Sequence, residues 1–145
     1  MLEYRVTAQR RNDRESLVAC KKTELLIDTS LEGRDDAFNP VELLLAALSG
    51  CMLKNIERVS PILRMQVTAV DIQLKAQRQD NPPRVTRIEY QLHVATDADA
   101  RKIELLHTNL RKYGTVYNTL ALSCELTGEL HRLDPSNPLP TTEES

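Results

Sequence analysis

A helix with almost no polar face constrains the fold of this chain more than any other feature. Asn39 can cap its start, Pro40 suits the first helical position, and Glu42 completes a capping box. Residues 41–53 are apolar almost all round, and the helix is predicted to continue to about Val59. A helix without a polar face is buried on every side. One domain of 145 residues rarely covers such a helix alone, so the pattern predicts a partner subunit.

Strands are predicted on both sides of this central helix from the alternation of apolar and polar residues. The expected strands lie at 4–8, 17–20, 24–28, 70–76, 88–94 and 124–130. The fourth and fifth strands are separated by a turn at residues 80–83, which predicts a long antiparallel hairpin.

Two shorter helices are predicted between the fifth and sixth strands. Thr96 or Asp97 can cap the first of them, and Gly114 suits its carboxyl end as a C′ residue. The apolar stripe of this helix comprises Ile103, Leu106, Leu110 and Tyr113. The next helix is expected from 116 to about 122. The order βββ-α-ββ-α-α-β, with antiparallel sheets and a long buried central helix, predicts the α+β class.

The carboxyl-terminal segment differs in composition from the rest of the chain. Residues 134–145 are polar and rich in proline, which is typical of a disordered tail. The folded domain is therefore predicted to comprise residues 1–133.

Charge and composition argue against several classes of function. The net charge is −2 and only 3% of residues are aromatic, so nucleic-acid binding is not expected. Neither a signal peptide nor an apolar stretch of about 18 residues is present, so no membrane association is expected. Three cysteines cannot complete a disulfide framework, which favours a reducing cytoplasm. The three histidines lack metal-ligand spacing, so neither a metal nor a cofactor is expected.

Cys51 is the candidate for chemistry. It follows Ser49 and Gly50 well inside the apolar helix. Glycine costs about 1 kcal/mol relative to alanine in a helix interior, so Gly50 is expected to have a packing reason, either a close backbone or an open pocket. Free cysteines are often buried and structural, and that interpretation stays open beside a reactive thiol.

Two segments carry a resemblance to a known family. Residues 39–51 resemble the central-helix motif of the OsmC/Ohr family, and residues 113–120 resemble its second motif, which usually begins with Cys-Pro. The resemblance implies an intertwined homodimer with central helices packed between sheets and active sites at the subunit interface. In the best-known members it also implies reduction of organic hydroperoxides by a cysteine pair, a defence against oxidative stress.

The second cysteine of that pair is missing, because its place in the motif is occupied by Gly114. Glycine cannot resolve a sulfenic acid. Cys124 and Cys20 are the remaining thiols that could substitute. A disulfide needs Cβ atoms roughly 3.5–4.5 Å apart. On this demand neither Cys124 nor Cys20 is expected to form a native disulfide with Cys51.

The supporting residues of the family also differ. Family peroxidases use an acid directly after the proline of the first motif, where this chain has Val41, and Glu42 comes one position later. Nine residues at about 100° each place Glu42 opposite Cys51 and about 13 Å away along the axis. Capping is therefore its expected role, and a contact with the partner's site stays open. Arg34, Arg10 and Arg11 are the candidates for the family's arginine.

Two functional hypotheses follow from these residues. The first is an OsmC-like peroxidase with peroxiredoxin-type chemistry at Cys51, supported by Glu42 and Arg34, in which an external thiol reduces the sulfenic acid. The second is a non-catalytic dimer of the same fold that binds a small apolar ligand at its interface cleft. Gly114 and Val41 motivate the second hypothesis.

Overall fold

The computed structural model describes residues 1–136, which divide into two compact units within the long helix. The first unit comprises Met1–Ala46 and the second begins at Ala47. The last strand ends at Leu133, and Asp134 accepts hydrogen bonds from the backbone and hydroxyl of Ser136. The tail predicted to be disordered comprises residues 134–145, of which 137–145 lie outside the described residues.

The first unit contains a three-stranded antiparallel sheet. Its strands are β1 (Thr7–Arg10), β2 (Glu15–Cys20) and β3 (Thr23–Asp28), in the order β1-β2-β3. The first strand was expected from Tyr4 with one buried face, but it begins at Thr7 and all four of its residues are exposed. The alternation of Tyr4, Val6 and Ala8 therefore does not mark a buried face within this chain.

The central helix α1 spans Pro40–Val59, as predicted. Its capping box is confirmed, since Asn39 Oδ1 accepts from the Glu42 N–H at 2.9 Å and Glu42 Oε1 accepts from the Asn39 N–H at 2.9 Å. The single chain leaves part of the helix uncovered, so burial on every side, which was expected with a partner subunit, stays a prediction. The apolar residues 43–45 are only half-buried, and Leu53 is 37% exposed. One chain covers a single stripe of the helix, formed by Leu48, Met52, Ile56 and Val59.

The second unit contains a sheet of β4 (Ala69–Asp80), β5 (Pro83–Ala95) and β6 (Glu125–Leu133), in the order β4-β5-β6. The predicted antiparallel hairpin of β4 and β5 is confirmed. In contrast to the expectation of purely antiparallel sheets, β6 runs parallel to β5. Parallel neighbours need a long crossover connection, which the two helices between these strands provide.

Helices α2 (Ala100–Tyr113) and α3 (Thr115–Ala121) form this crossover. The cap of α2 is neither Thr96 nor Asp97 but Asp99, whose Oδ1 accepts from the Lys102 N–H at 2.9 Å. Thr96 is fully buried, and its hydroxyl accepts instead from the Ala98 N–H at 3.2 Å.

The core of the second unit combines the central strand with the helices. Its fully buried apolar side chains, all at most 1% exposed, are Leu48, Met52, Ile56, Ile88, Tyr90, Leu92, Val94, Leu106 and Leu110. Tyr113, expected on the apolar stripe of α2, is 53% exposed and lies outside this core. Within residues 1–136, no helix has the length and apolar character needed to cross a bilayer. The α+β class and the order βββ-α-ββ-α-α-β are confirmed.

Candidate functional site around Cys51

Cys51 lies in the second half of α1 and is half-buried. Gly50 beside it is exposed. Apart from its own stretch of helix, no described heavy atom lies within 4 Å of the position that a Gly50 Cβ would take. The sequence predicted either a close backbone or an open pocket beside Gly50. In the single chain the space beside Gly50 is open, and no other described backbone approaches it.

Neither of the other two cysteines is bonded to Cys51, because all three are free thiols. Cys124 Sγ donates to the Leu120 carbonyl oxygen at 3.3 Å. Burial raises the pKa of the Cys124 thiol, an effect that the positive charge of Arg84 opposes. Cys124 is therefore a protonated hydrogen-bond donor, which makes it a poor nucleophile.

A polar stripe on α1 continues from Cys51 toward the end of the helix. Asn55 and Arg58 follow Cys51 at the spacing i, i+4 and i+7, which places the three residues on one face. Arg58 Nη1 donates to Asn55 Oδ1 at 3.2 Å. Asn55 is only 3% exposed, whereas Arg58 is exposed. The sequence analysis missed this stripe, because the burial of Asn55 depends on tertiary packing.

Gly114 lies against this stripe, at the junction of α2 and α3. A Cβ built on Gly114 would lie 3.3 Å from Asn55 Nδ2. The position that matches the family's second cysteine therefore faces α1 one helical turn beyond Cys51. The left-handed conformation expected for a C′ glycine is absent, because the φ of Gly114 is −77°. Instead its reason is steric, since the Cβ would also lie 2.9 Å from the Leu110 oxygen and 2.9 Å from Tyr117 Cβ.

Glu42 and Arg34 both have defined partners within the first unit. Glu42 is engaged in the capping box with Asn39. Arg34 Nη1 donates to Glu15 Oε2 at 2.8 Å, and its Nε and Nη2 donate to the two oxygens of Asp36. These hydrogen bonds raise the pKa of Arg34 and lower the pKa of Asp36 and of Glu15. A supporting role of either residue toward Cys51 stays a prediction.

The remaining arginine candidates lie at the first turn. Arg11 is an exposed residue whose Nη1 lies 3.9 Å from Glu15 Oε1, and Arg10 is exposed at the end of β1. Both are therefore surface charges in the single chain.

The histidines have packing and hydrogen-bonding roles. His107 Nε2 lies 2.6 Å from the hydroxyl oxygen of the buried Tyr90, and the rings of His93 and His131 stack with centroids 5.0 Å apart. Asp71 Oδ2 is 3.9 Å from His93 Nδ1. The part of the chain that the structure describes contains no group of three or more His, Cys, Asp or Glu side chains placed to hold a metal ion.

Solved structures with the same fold include three proteins of different bacteria. The OsmC-like protein from Mycoplasma pneumoniae has a TM-score of 0.84 at 15% identity, covering 91% of this chain and 98% of that one. The organic hydroperoxide resistance protein OsmC from Legionella pneumophila has a TM-score of 0.68 at 17% identity, covering 90% and 99%. OhrB, the organic hydroperoxide resistance protein of Bacillus subtilis, has a TM-score of 0.64 at 18% identity, covering 89% and 98%. Identities this low show a shared fold.

Sequence comparison supplies the family. A search of curated proteins gives no significant match. The profile of the OsmC-like protein family matches residues 33–129, which include all of α1, Cys51 and Gly114. Because this match covers more than half of the 145 residues, the chain belongs to the OsmC-like protein family.

Proposed function

We propose that this protein is a thiol-dependent peroxidase that reduces organic hydroperoxides through Cys51. The observation that carries the proposal is a half-buried Cys51 in the family's helix motif, on one face with a buried Asn55. Two of the solved structures with this fold are named organic hydroperoxide resistance proteins, which supports the same chemistry.

The proposed reaction needs only one protein thiol. The Cys51 thiolate attacks the outer peroxide oxygen, so that an S–O bond forms, the O–O bond breaks and an alkoxide leaves. The alkoxide takes a proton and becomes the alcohol, while the sulfur is oxidised to a sulfenic acid. An external thiol then condenses with the sulfenic acid, releasing water and forming a mixed disulfide. A second external thiol reduces this disulfide and regenerates Cys51.

The lack of a second protein thiol at position 114 supports reduction of the Cys51 sulfenic acid by an external thiol. Gly114 occupies the matching position, and among residues 1–136 the other two thiols are free rather than bonded to Cys51. Cys124 is a weak candidate for attack on a sulfenic acid, because its pKa is raised and its proton is donated to Leu120.

A Cys51→Ser variant is expected to lose hydroperoxide consumption to the uncatalysed background, because serine forms no comparable nucleophile at neutral pH. The assay measures loss of an organic hydroperoxide in the presence of excess dithiothreitol. A dimedone-type trap with peptide mass spectrometry should locate a sulfenic acid on Cys51 of the unmodified protein.

Cys124→Ser is the matched control and should retain the rate. An unmodified protein without an adduct on Cys51, or a Cys51→Ser variant with an unchanged rate, would contradict the peroxidase proposal. A missing adduct together with a rate equal to the uncatalysed background would favour the non-catalytic dimer that binds an apolar ligand.

We also propose that the protein is a homodimer. Several large apolar residues of the second unit are exposed in the single chain, namely Leu53 at 37%, Leu105 at 40%, Ile62 at 75% and Leu122 at 91%. Leu53 belongs to the apolar helix α1, which one chain covers only in part, as expected for a helix that packs against a partner. Size-exclusion chromatography with light scattering should therefore give twice the chain mass of 16.5 kDa. A stable monomer at micromolar concentration would contradict the dimer.

A further inference from the structure

Asn55 carries a buried hydrogen-bond donor without a partner. The residue is 3% exposed, and its Nδ2 makes no hydrogen bond with any residue in the described range 1–136. Buried amide groups are nearly always hydrogen-bonded, so each exception calls for an explanation. The orphan donor of Asn55 therefore points to a group that it binds during function.

The orientation of the Asn55 amide is fixed by Arg58. A guanidinium group can only donate, so the atom that receives the hydrogen bond from Arg58 Nη1 must be the amide oxygen. The amino group then necessarily points away from Arg58. It faces the junction of α2 and α3, where a Gly114 Cβ would lie 3.3 Å from Nδ2.

The same donor lies one helical turn from the reactive sulfur. Residues at i and i+4 on a helix have Cβ atoms about 5–6 Å apart, which applies to Cys51 and Asn55. Side chains on a helix lean toward its amino end, so Asn55 leans over the turn that carries Cys51. The i, i+4 spacing therefore puts an oxygen atom bonded to the sulfur within reach of this donor.

We infer that Asn55 Nδ2 donates a hydrogen bond to the oxygen of the sulfenic acid, or sulfenate, that forms on Cys51. The inference rests on the proposed peroxidase function and assigns the residue that stabilises its intermediate. No thiol at position 114 can consume the intermediate, so the sulfenic acid must persist until an external thiol arrives. A donor held in place by Arg58 extends the lifetime of that intermediate without altering the redox balance of the cycle.

An Asn55→Leu variant tests the inference, because leucine has a similar shape but no donor. The protein is oxidised with one equivalent of an organic hydroperoxide, and a dimedone-type trap is added after increasing delays. The trappable sulfenic acid on Cys51 is expected to disappear about tenfold faster in Asn55→Leu, as for loss of one hydrogen bond to a charged oxygen. Asn109→Leu is the matched control, because Asn109 Nδ2 donates to the Leu105 oxygen of its own helix at 2.8 Å.

Thermal unfolding of the same variants separates this role from a structural one. Leucine removes the orphan donor together with one hydrogen bond to the exposed Arg58, so the stability of Asn55→Leu should change little. A structural amide would instead give lower stability with an unchanged lifetime. If Asn55→Leu fails to fold, Asn55→Asp retains the acceptor for Arg58 and exchanges the donor for a carboxylate oxygen, which repels a sulfenate and should also shorten its lifetime. A folded variant with the wild-type lifetime would overturn the inference and leave the peroxidase intact. A wild-type protein without any trappable sulfenic acid would overturn both.

Discussion

Gly128→Ala is expected to lower the free energy of unfolding by about 2–3 kcal/mol, as for an overpacked core. Gly128 lies opposite Tyr90 in the parallel pairing of β5 and β6. A Cβ at position 128 would overlap three atoms of the Tyr90 ring. The ring cannot move aside easily, because Tyr90 is 1% exposed and its hydroxyl is hydrogen-bonded to His107. Burial raises the pKa of Tyr90 to about 12, so the hydroxyl remains protonated in this network.

Urea unfolding monitored by circular dichroism measures this loss in the free energy of unfolding. Gly50→Ala is the matched control, because its new Cβ meets no described atom within 4 Å outside its own stretch of helix. Alanine is favoured over glycine in a helix by about 1 kcal/mol, so this control should gain stability. Combining Gly128→Ala with Tyr90→Leu should cost less than the two single changes together, since both act on one contact. Equal stability of Gly128→Ala and the wild type would show that the ring does not constrain this position.

The elements with local signals could be predicted from the sequence. The start of α1 follows from Asn39, Pro40 and Glu42, whose capping contacts depend only on neighbouring residues. The cap of α2 was misplaced because the segment 96–99 contains three residues able to cap, and alternation and spacing do not distinguish Asp99 from the other two. The parallel direction of β6 could not be read from alternation, which has the same period in either direction.

The candidate site was only partly predictable, because some of its features depend on tertiary contacts and not on local signals. Cys51 could be found from its motif, whereas Asn55 could not, because asparagine is usually exposed and its burial depends on tertiary packing. Gly114 was predicted as a C′ residue, a position at which glycine usually adopts the left-handed conformation. The actual reason is the tight turn between α2 and α3, in which an added Cβ would meet Leu110 and Tyr117.

Gly114→Cys is expected to lose about 2 kcal/mol of stability, a typical overpacking cost, without forming a disulfide to Cys51. The backbone is no obstacle, because any residue can adopt a φ of −77°. The obstacle is the added Cβ, which would lie 2.9 Å from the Leu110 oxygen and 2.9 Å from Tyr117 Cβ. Non-reducing peptide mapping after oxidation with an organic hydroperoxide reports the disulfide, and urea unfolding reports the stability.

Gly114→Ala separates the two effects, because it adds the same Cβ without a thiol and should lose a similar amount of stability. Complete disulfide formation in Gly114→Cys at wild-type stability would show that the junction of α2 and α3 yields easily. The geometry argues against that result. The two atoms nearest to the added Cβ are the backbone oxygen of Leu110 and the Cβ of Tyr117. Substituting residue 110 keeps the backbone oxygen, and substituting residue 117 keeps the Cβ unless the new residue is glycine. A two-cysteine mechanism therefore requires a shift of α3 against α2, and a single substitution at position 114 does not supply it.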